Sequence, residues 1–378
     1  MYYRIISAFL LCLFFQTTWA VTPTQAQFVE KIMQKFMHET QAPGAAVAIV
    51  RDGKSEIYVF GNADIRKKIP VTPKTLFEVG SVTKVFTAIL LADDVNHHRL
   101  QLTDSISQHL PEVEGNWVLR RITLAQLATH TAGFPFQAPE TLKTSADLKQ
   151  YLLQWKPSTS GLTYQYSNPG IGLLGKILEA KNHRDINQLY LERILLPLNM
   201  APIGITVPAN LQSTFAQGYY ASGKPAPYTD NSLFPATAAL KMSIEDLSKF
   251  LSASLSAPGT PKELLQAINL SQTPQVQVGN MQQALGWQVR PFKETNSLIN
   301  DPLASNIKPS TFTLLPREAK KFNPNALIEK TGGANGFRTY IALIPSSQSG
   351  VVIVTNRFVD LAPLVTTARM LLLKKVKN

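Results

Sequence analysis

The chain has 378 residues, 44% hydrophobic and 16% charged, a globular balance with length for one large domain or two lobes. Its formal charge of +12 comes with no basic run interleaved with aromatics, which argues against nucleic acid as a partner. The single cysteine, Cys12, lies in the leader described next, so the mature chain offers no disulfide, thiol nucleophile or thiolate metal site. The six histidines form no zinc pattern, and neither a metal nor another cofactor is expected.

The first twenty residues read as a secretory leader. Arg4 gives the positive start, residues 5–15 give an apolar stretch too short to span a bilayer, and Thr18-Trp-Ala20 gives a cleavage site. The mature chain is expected to begin at Val21, exported to the periplasm, with no stable membrane anchor once the leader is removed. Residues 25–39 carry Phe28, Ile32, Phe36 and Met37 at helical spacing. Two strand-like runs follow, residues 45–50 and 56–60, with the hairpin signal Asp52-Gly53 between them.

From Ser81 to about residue 266 the pattern is mostly helical. Ser145-x-Asp147 opens one helix, and Ser243-x-x-Asp246 has the form of a capping box. Residues 272–324 have scattered prolines and no clear period. Strand-like runs return at 326–330, 339–344 and 350–355, and residues 361–375 close the chain as a helix.

Strands at both ends with helices between them predict one antiparallel sheet. The two N-terminal strands and the three C-terminal ones form a five-stranded core flanked by the terminal helices. The expected fold is α/β plus all-α. An α/β lobe spans about 21–80 and 285–378, and a helical lobe spans about 81–284. A site is expected between the lobes.

Three short motifs carry chemistry. In Phe77-Glu-Val-Gly-Ser81-Val-Thr-Lys84, a serine precedes an apolar helix and a lysine follows one turn along the same face. A serine hydroxyl needs a neighbouring base before it attacks, and burial lowers a lysine's pKa toward that role. Alone the spacing is weak evidence. It also suits an N-cap serine beside a solvated lysine, and it recurs at Ser305-Asn-Ile-Lys308 between two prolines.

Tyr166-Ser-Asn168 is the only Tyr-x-Asn, and by itself it also reads as a turn. Lys330-Thr-Gly332 is the only Lys-Thr-Gly. It reads as the end of a strand and, by itself, as an edge lysine before a turn. Together they supply what acyl transfer needs: a nucleophile, proton carriers, a substrate anchor and small residues for close backbone approach.

In these motifs the chain resembles the class C (AmpC-type) serine β-lactamases. The likeness extends to Leu124-Ala-Gln-Leu-Ala-Thr-His-Thr-Ala-Gly133, Phe136-Gln-Ala-Pro139, Gln217-Gly-Tyr-Tyr220, Lys241-Met-Ser-Ile-Glu-Asp246 and Leu285-Gly-Trp287. The resemblance implies a small-molecule β-lactam substrate, opened through an acyl-enzyme on Ser81, in a monomer.

On this resemblance Lys84 and Tyr166 would activate Ser81, and the backbone N–H groups of Ser81 and Gly333 would form the oxyanion hole. Gln137 and Asn168 would hold the substrate's acylamide chain, and Lys330, Thr331 and Gly332 would face its carboxylate. A DD-peptidase or a serine esterase on the same scaffold is the alternative, and a non-catalytic penicillin-binding sensor is a third. Three departures bear on substrate range. Ala238 stands where the family has a tyrosine, Leu361 and Leu364 where it has polar groups, and Arg338 where a glycine is usual. With polar groups missing at Leu361 and Leu364, Lys330 is expected to carry more of the carboxylate recognition.

Overall fold

The computed structural model describes residues 24–157, 163–229, 231–291, 295–299, 301 and 308–374. The leader and Ser305, of the second Ser-x-x-Lys, lie outside them. Helix α1, Gln25–Thr40, starts where Thr24 and Gln27 satisfy each other's backbone N–H groups, and buries Val29, Met33 and Phe36 at i, i+4 and i+7.

Strand β1, Gly44–Arg51, turns into β2, Lys54–Asp64, through Asp52 and Gly53, both at positive φ (49° and 76°). That is the two-residue turn whose twist matches a hairpin. The remaining strands are β3 (Ile69–Pro70), β4 (Leu76–Glu78), β5 (Lys241–Ser243), β6 (Val276–Val278), β7 (Met281–Gln283) and β8 (Gln288–Pro291). They continue with β9 (Thr313–Leu314), β10 (Ala326–Ala334), β11 (Phe337–Ile344) and β12 (Ser349–Thr355).

Ten of them form one sheet in the order β3-β2-β1-β12-β11-β10-β8-β7-β6-β9, and β4 pairs with β5. The five expected core strands lie together, with β1 antiparallel to β12 in the register Ala45↔Thr355. The apolar run of β1 is continuous because both its faces are covered. Ala46, Ala48 and Val50 pack into the main core, while Ala45, Val47 and Ile49 pack with α1 and the C-terminal helix Leu361–Leu373.

Two sequence readings change. Residues 272–324, read as irregular, add β6 to β9 to the sheet. Lys330-Thr-Gly332 does not end a strand: β10 runs on to Ala334, with Gly332 opposite Thr339. The helix at Ser145–Gln154 is capped by Thr144, whose Oγ1 accepts from the Asp147 N–H at 3.1 Å. Ser243 caps Ile244–Ser254 as expected, accepting from the Asp246 N–H at 3.1 Å.

Candidate active site

The partner strand β8 covers β10 only as far as Glu329, so the edge from Lys330 to Ala334 is free on that side. The turn leading out of β4 fills the gap. A Cβ on Gly332 would lie 2.1 Å from the Val79 carbonyl oxygen, and one on Gly80 would lie 2.5–2.6 Å from the backbone of Gly333. Only glycine fits at either place, and Gly80 also sits at φ 54°. These two positions lay the turn flush against the strand.

Ser81 falls in that turn, a 3₁₀ segment Gly80–Val82 running straight into helix α2, Thr83–Asn96. The N-cap residue of α2 is Val82, with no side-chain cap, so Ser81 is not spent on capping. Nor is Lys84 a solvated lysine. It is fully buried, on a helix buried almost all round from Thr83 to Ala92.

The Lys84 Nζ lies 3.0 Å from Ser81 Oγ and donates to the Thr237 carbonyl at 2.9 Å. Burial first, then the charge of Lys330, hold its pKa well below the ordinary lysine value. As a neutral amine it keeps the bond to Thr237 and can accept the proton of Ser81. Tyr166 is buried, and its hydroxyl accepts from Lys330 Nζ at 3.2 Å. Both lysine Nζ atoms approach its ring, at 5.1 Å and 4.9 Å from the centroid. Burial pushes the phenol above its ordinary pKa, and a hydrogen bond with Ser81 opposes the shift.

Lys330 also donates to the Thr331 carbonyl at 2.8 Å. Burial brings its pKa down to about 7, against the opposing pull of Glu329. Asn168 opens the helix Asn168–Asn182 just after its Ser167 cap. The Asn168 Nδ2 donates to Gln137 Oε1 at 2.9 Å, and its buried Oδ1 has no partner among the described residues.

These groups line one cleft of about 730 Å³, whose wall includes Ser81, Gln137, Tyr166, Asn168, Thr331, Gly332 and Gly333. Lys84 and Lys330 reach it from behind. Among the described residues no group of three or more His, Cys, Asp or Glu could hold a metal, and no helix is long and apolar enough to cross a membrane.

Of the departures noted above, Ala238, Arg338 and Leu361 line the cleft. Leu364 does not: it is fully buried in the core between the sheet and the C-terminal helix. Three contributors carried no sequence signal of their own. The Thr237 acceptor is a backbone carbonyl, which any residue could supply. Phe358 reaches the cleft wall from a bend after β12.

His130 stands in the Leu124–Gly133 stretch without a role assigned to it. It sits at φ 60°, accepts the Ser167 N–H on Nδ1 at 3.2 Å, and packs its ring 4.4 Å from that of Tyr166. Burial, then Lys84 and Lys330, hold its pKa well below the ordinary value, so it backs Tyr166 as a neutral ring.

A buried lysine beside a serine, a second lysine on a phenol and a strand edge laid against the serine's turn are the elements of a serine acyl-transfer site. The Beta-lactamase family model matches residues 29–374. A β-lactamase of Lysobacter lactamgenus is 34% identical over 340 residues, covering 88% of this chain and 87% of the relative. A β-lactamase/D-alanine carboxypeptidase from Pseudomonas syringae superposes with a TM-score of 0.86 at 29% identity, over 92% of this chain and 98% of that one. A class C β-lactamase solved with cefoxitin gives 0.85 at 30% identity, over 92% and 98%. The chain belongs to the β-lactamase family. It is a serine β-lactamase of the class C, AmpC type, a hydrolase of β-lactam amides.

Proposed function

We propose that Ser81 is the nucleophile of this hydrolysis and that cephalosporins and penicillins are its substrates. Lys84 and Tyr166 together take the Ser81 proton as Oγ attacks the lactam carbonyl. The tetrahedral oxyanion is met by the N–H groups of Ser81 and Gly333. The C–N bond of the ring then breaks, and the nitrogen takes the proton back through Tyr166. Water, deprotonated by the same pair, attacks the acyl-enzyme, and Ser81 leaves with the proton restored.

Gln137 and Asn168 hold the acylamide chain, while Thr331 and Gly332 form the wall on the carboxylate side with Lys330 behind it. The observation that carries this reading is the 3.0 Å contact between Ser81 Oγ and a fully buried Lys84. The same reading has the enzyme exported to the periplasm, working there as a monomer and conferring β-lactam resistance. The chain divides by function: a part at about 21–80 and 285–378 supplies Lys330 and Gly333, and a part at about 81–284 supplies Ser81 and Tyr166. By packing the division is less sharp, since Leu251 of helix Ile244–Ser254 rests on Gly350 of the sheet.

A second reading, D-alanine carboxypeptidase activity, has one observation in its favour: the Pseudomonas syringae neighbour is named for both reactions. Turnover of a coloured cephalosporin separates the two. A β-lactamase gives many turnovers per protein, a peptidase one stoichiometric acylation, and a non-catalytic sensor none. Ser81→Ala should abolish covalent labelling in intact-protein mass spectrometry while the fold persists. A label that survives in this variant refutes the assignment of the nucleophile.

A further inference from the structure

The carboxylate side of the cleft holds a cation that the acyl-transfer chemistry does not use. Arg338 stands opposite Gly333 in the β10–β11 register, so the two share a face of the sheet. Its side chain lies back over Gly333: a Cβ there would meet Nη1 at 2.4 Å. The guanidinium stacks on Phe358, 3.6 Å from the ring centroid, and its Nε donates to the Val359 carbonyl at 2.9 Å. Glycine, aromatic ring and carbonyl together fix the plane of the head group at the cleft wall, beside Leu361.

Fixed in this way, the head group is electrically unmet. Among the described residues neither Nη makes a hydrogen bond, and the carboxylate that acts on it most, Asp360, does so without forming an ion pair. Lys330 is placed differently. It is 4% exposed, and its Nζ is engaged by the Tyr166 hydroxyl and the Thr331 carbonyl. Burial also brings its pKa down to about 7, so its charge is less secure near neutral pH than an arginine's. Burial lowers the Arg338 pKa as well, to about 10, which leaves the guanidinium charged near neutral pH, and a forked, pre-positioned cation suits a carboxylate better than a shared ammonium.

We propose that Arg338 is a specificity-determining residue of this cleft, pairing through Nη1 and Nη2 with the carboxylate of the β-lactam substrate. The proposal rests on the β-lactam reading of the site. It shifts carboxylate recognition from Lys330 to a residue on β11 and leaves Lys330 to the proton chemistry of Tyr166. Phe358 and Val359 act as positioning residues, since the ring stacks on the guanidinium and the carbonyl accepts from its Nε. Because the pairing acts on bound substrate, its loss raises KM more than it lowers kcat.

The test compares a coloured cephalosporin bearing its free carboxylate with the methyl ester of the same compound, in wild type, Arg338→Ala, Arg338→Gln and Arg338→Lys. The readout is the ratio of kcat/KM for acid and ester, which a merely structural role does not move. Wild type should favour the acid. Arg338→Ala should lower the acid-to-ester ratio about 10- to 100-fold, the range expected for one charged hydrogen-bonded pair. Arg338→Gln, similar in bulk, should do the same, and Arg338→Lys should restore part of the ratio.

An unchanged ratio in Arg338→Gln, or equal losses on acid and ester, overturns the proposal. If wild type hydrolyses both compounds but shows no preference for the acid, Arg338 is likewise not the anchor. If wild type hydrolyses neither, the β-lactam reading falls and this inference falls with it.

Discussion

The two lysines of the site are both buried beside a hydroxyl, yet their partners give them different work. Lys84 hydrogen-bonds with Ser81 and a carbonyl, and both causes acting on its pKa favour the neutral amine. Lys330 has a carboxylate neighbour in Glu329 that restores part of its proton affinity. This has a consequence for stability. An unfolded lysine keeps its proton to roughly pH 10.4, whereas folded Lys330 releases it near 7. Between those values the unfolded chain binds more protons, so this group makes stability rise with pH across the window. Below about pH 7 the penalty is present in full. Lys330→Met should therefore be more stable than wild type at pH 6, by ~0.5–2 kcal/mol, the usual size of a single stabilising substitution, and the advantage should shrink toward pH 10. Melting temperatures of both proteins at the two pH values test this, and a gap that widens with pH contradicts the burial of a charged Lys330. The residue types were legible in the sequence, because Ser-x-x-Lys, Tyr-x-Asn and Lys-Thr-Gly each name a chemistry. The neighbours that tune them were not: the Thr237 carbonyl lies 153 positions from Lys84, and only the fold brings it there.

At the scale of elements, the site depends on one contact between a turn and a strand. The edge of β10 is left free by β8 after Glu329, and Gly80 and Gly332 let the turn that carries Ser81 occupy it. A methyl at Gly332 meets the Val79 carbonyl at 2.1 Å, and Thr339 Cβ at 3.2 Å leaves little room to yield. Gly332→Ala should push the turn and strand apart while leaving both elements folded. A misplacement of about 1 Å in such a site costs on the order of 10²-fold in rate. We expect acylation by a β-lactam to slow by about that factor, measured by stopped flow, with far-UV circular dichroism unchanged. Acylation at the wild-type rate would mean that the turn is not held by this contact. The long elements around the site were legible because their periods are long enough to read: α1 from its 3.6-residue stripe, the β1–β2 hairpin from Asp52-Gly53. Strands β6 to β9, of two to four residues each, were missed because alternation cannot show in so short a run. The continuation of β10 through three small residues was missed for a related reason: Gly332 and Gly333 look like a turn until a neighbouring backbone is seen to require them.

Across the whole molecule, segments far apart in the chain are tied behind the site by a buried ionic network. Glu329 follows Ile328 on β10 and sits on the sheet face opposite Lys330. It accepts from Arg290 Nε of β8 at 2.5 Å, from Arg369 Nη2 of the C-terminal helix at 2.7 Å and from the Tyr340 hydroxyl of β11. Arg369 further donates to the carbonyls of Leu298 and Asp301, both at 2.7 Å, and Arg290 pairs with Asp301 at 2.8 Å. Burial alone would raise the Glu329 pKa, but Arg369 and Arg290 outweigh it and hold the carboxyl below its ordinary value. A buried set of this kind contributes little net stability against an apolar replacement of the whole, yet removing one member strands the others. Glu329→Gln keeps the shape and leaves two buried guanidinium groups short of a counter-charge. It should cost ~3–5 kcal/mol, read as a lower midpoint in urea denaturation. The same substitution takes away the carboxylate that sustains Lys330, so the apparent pKa of Lys330 should fall below about 7, visible as a shift of the Lys330→Met stability gap to lower pH when both proteins also carry Glu329→Gln. A urea cost under about 1 kcal/mol would show that Asp301 and the two carbonyls suffice for both arginines, and that the network is not what fastens the C-terminal helix to the sheet carrying the site.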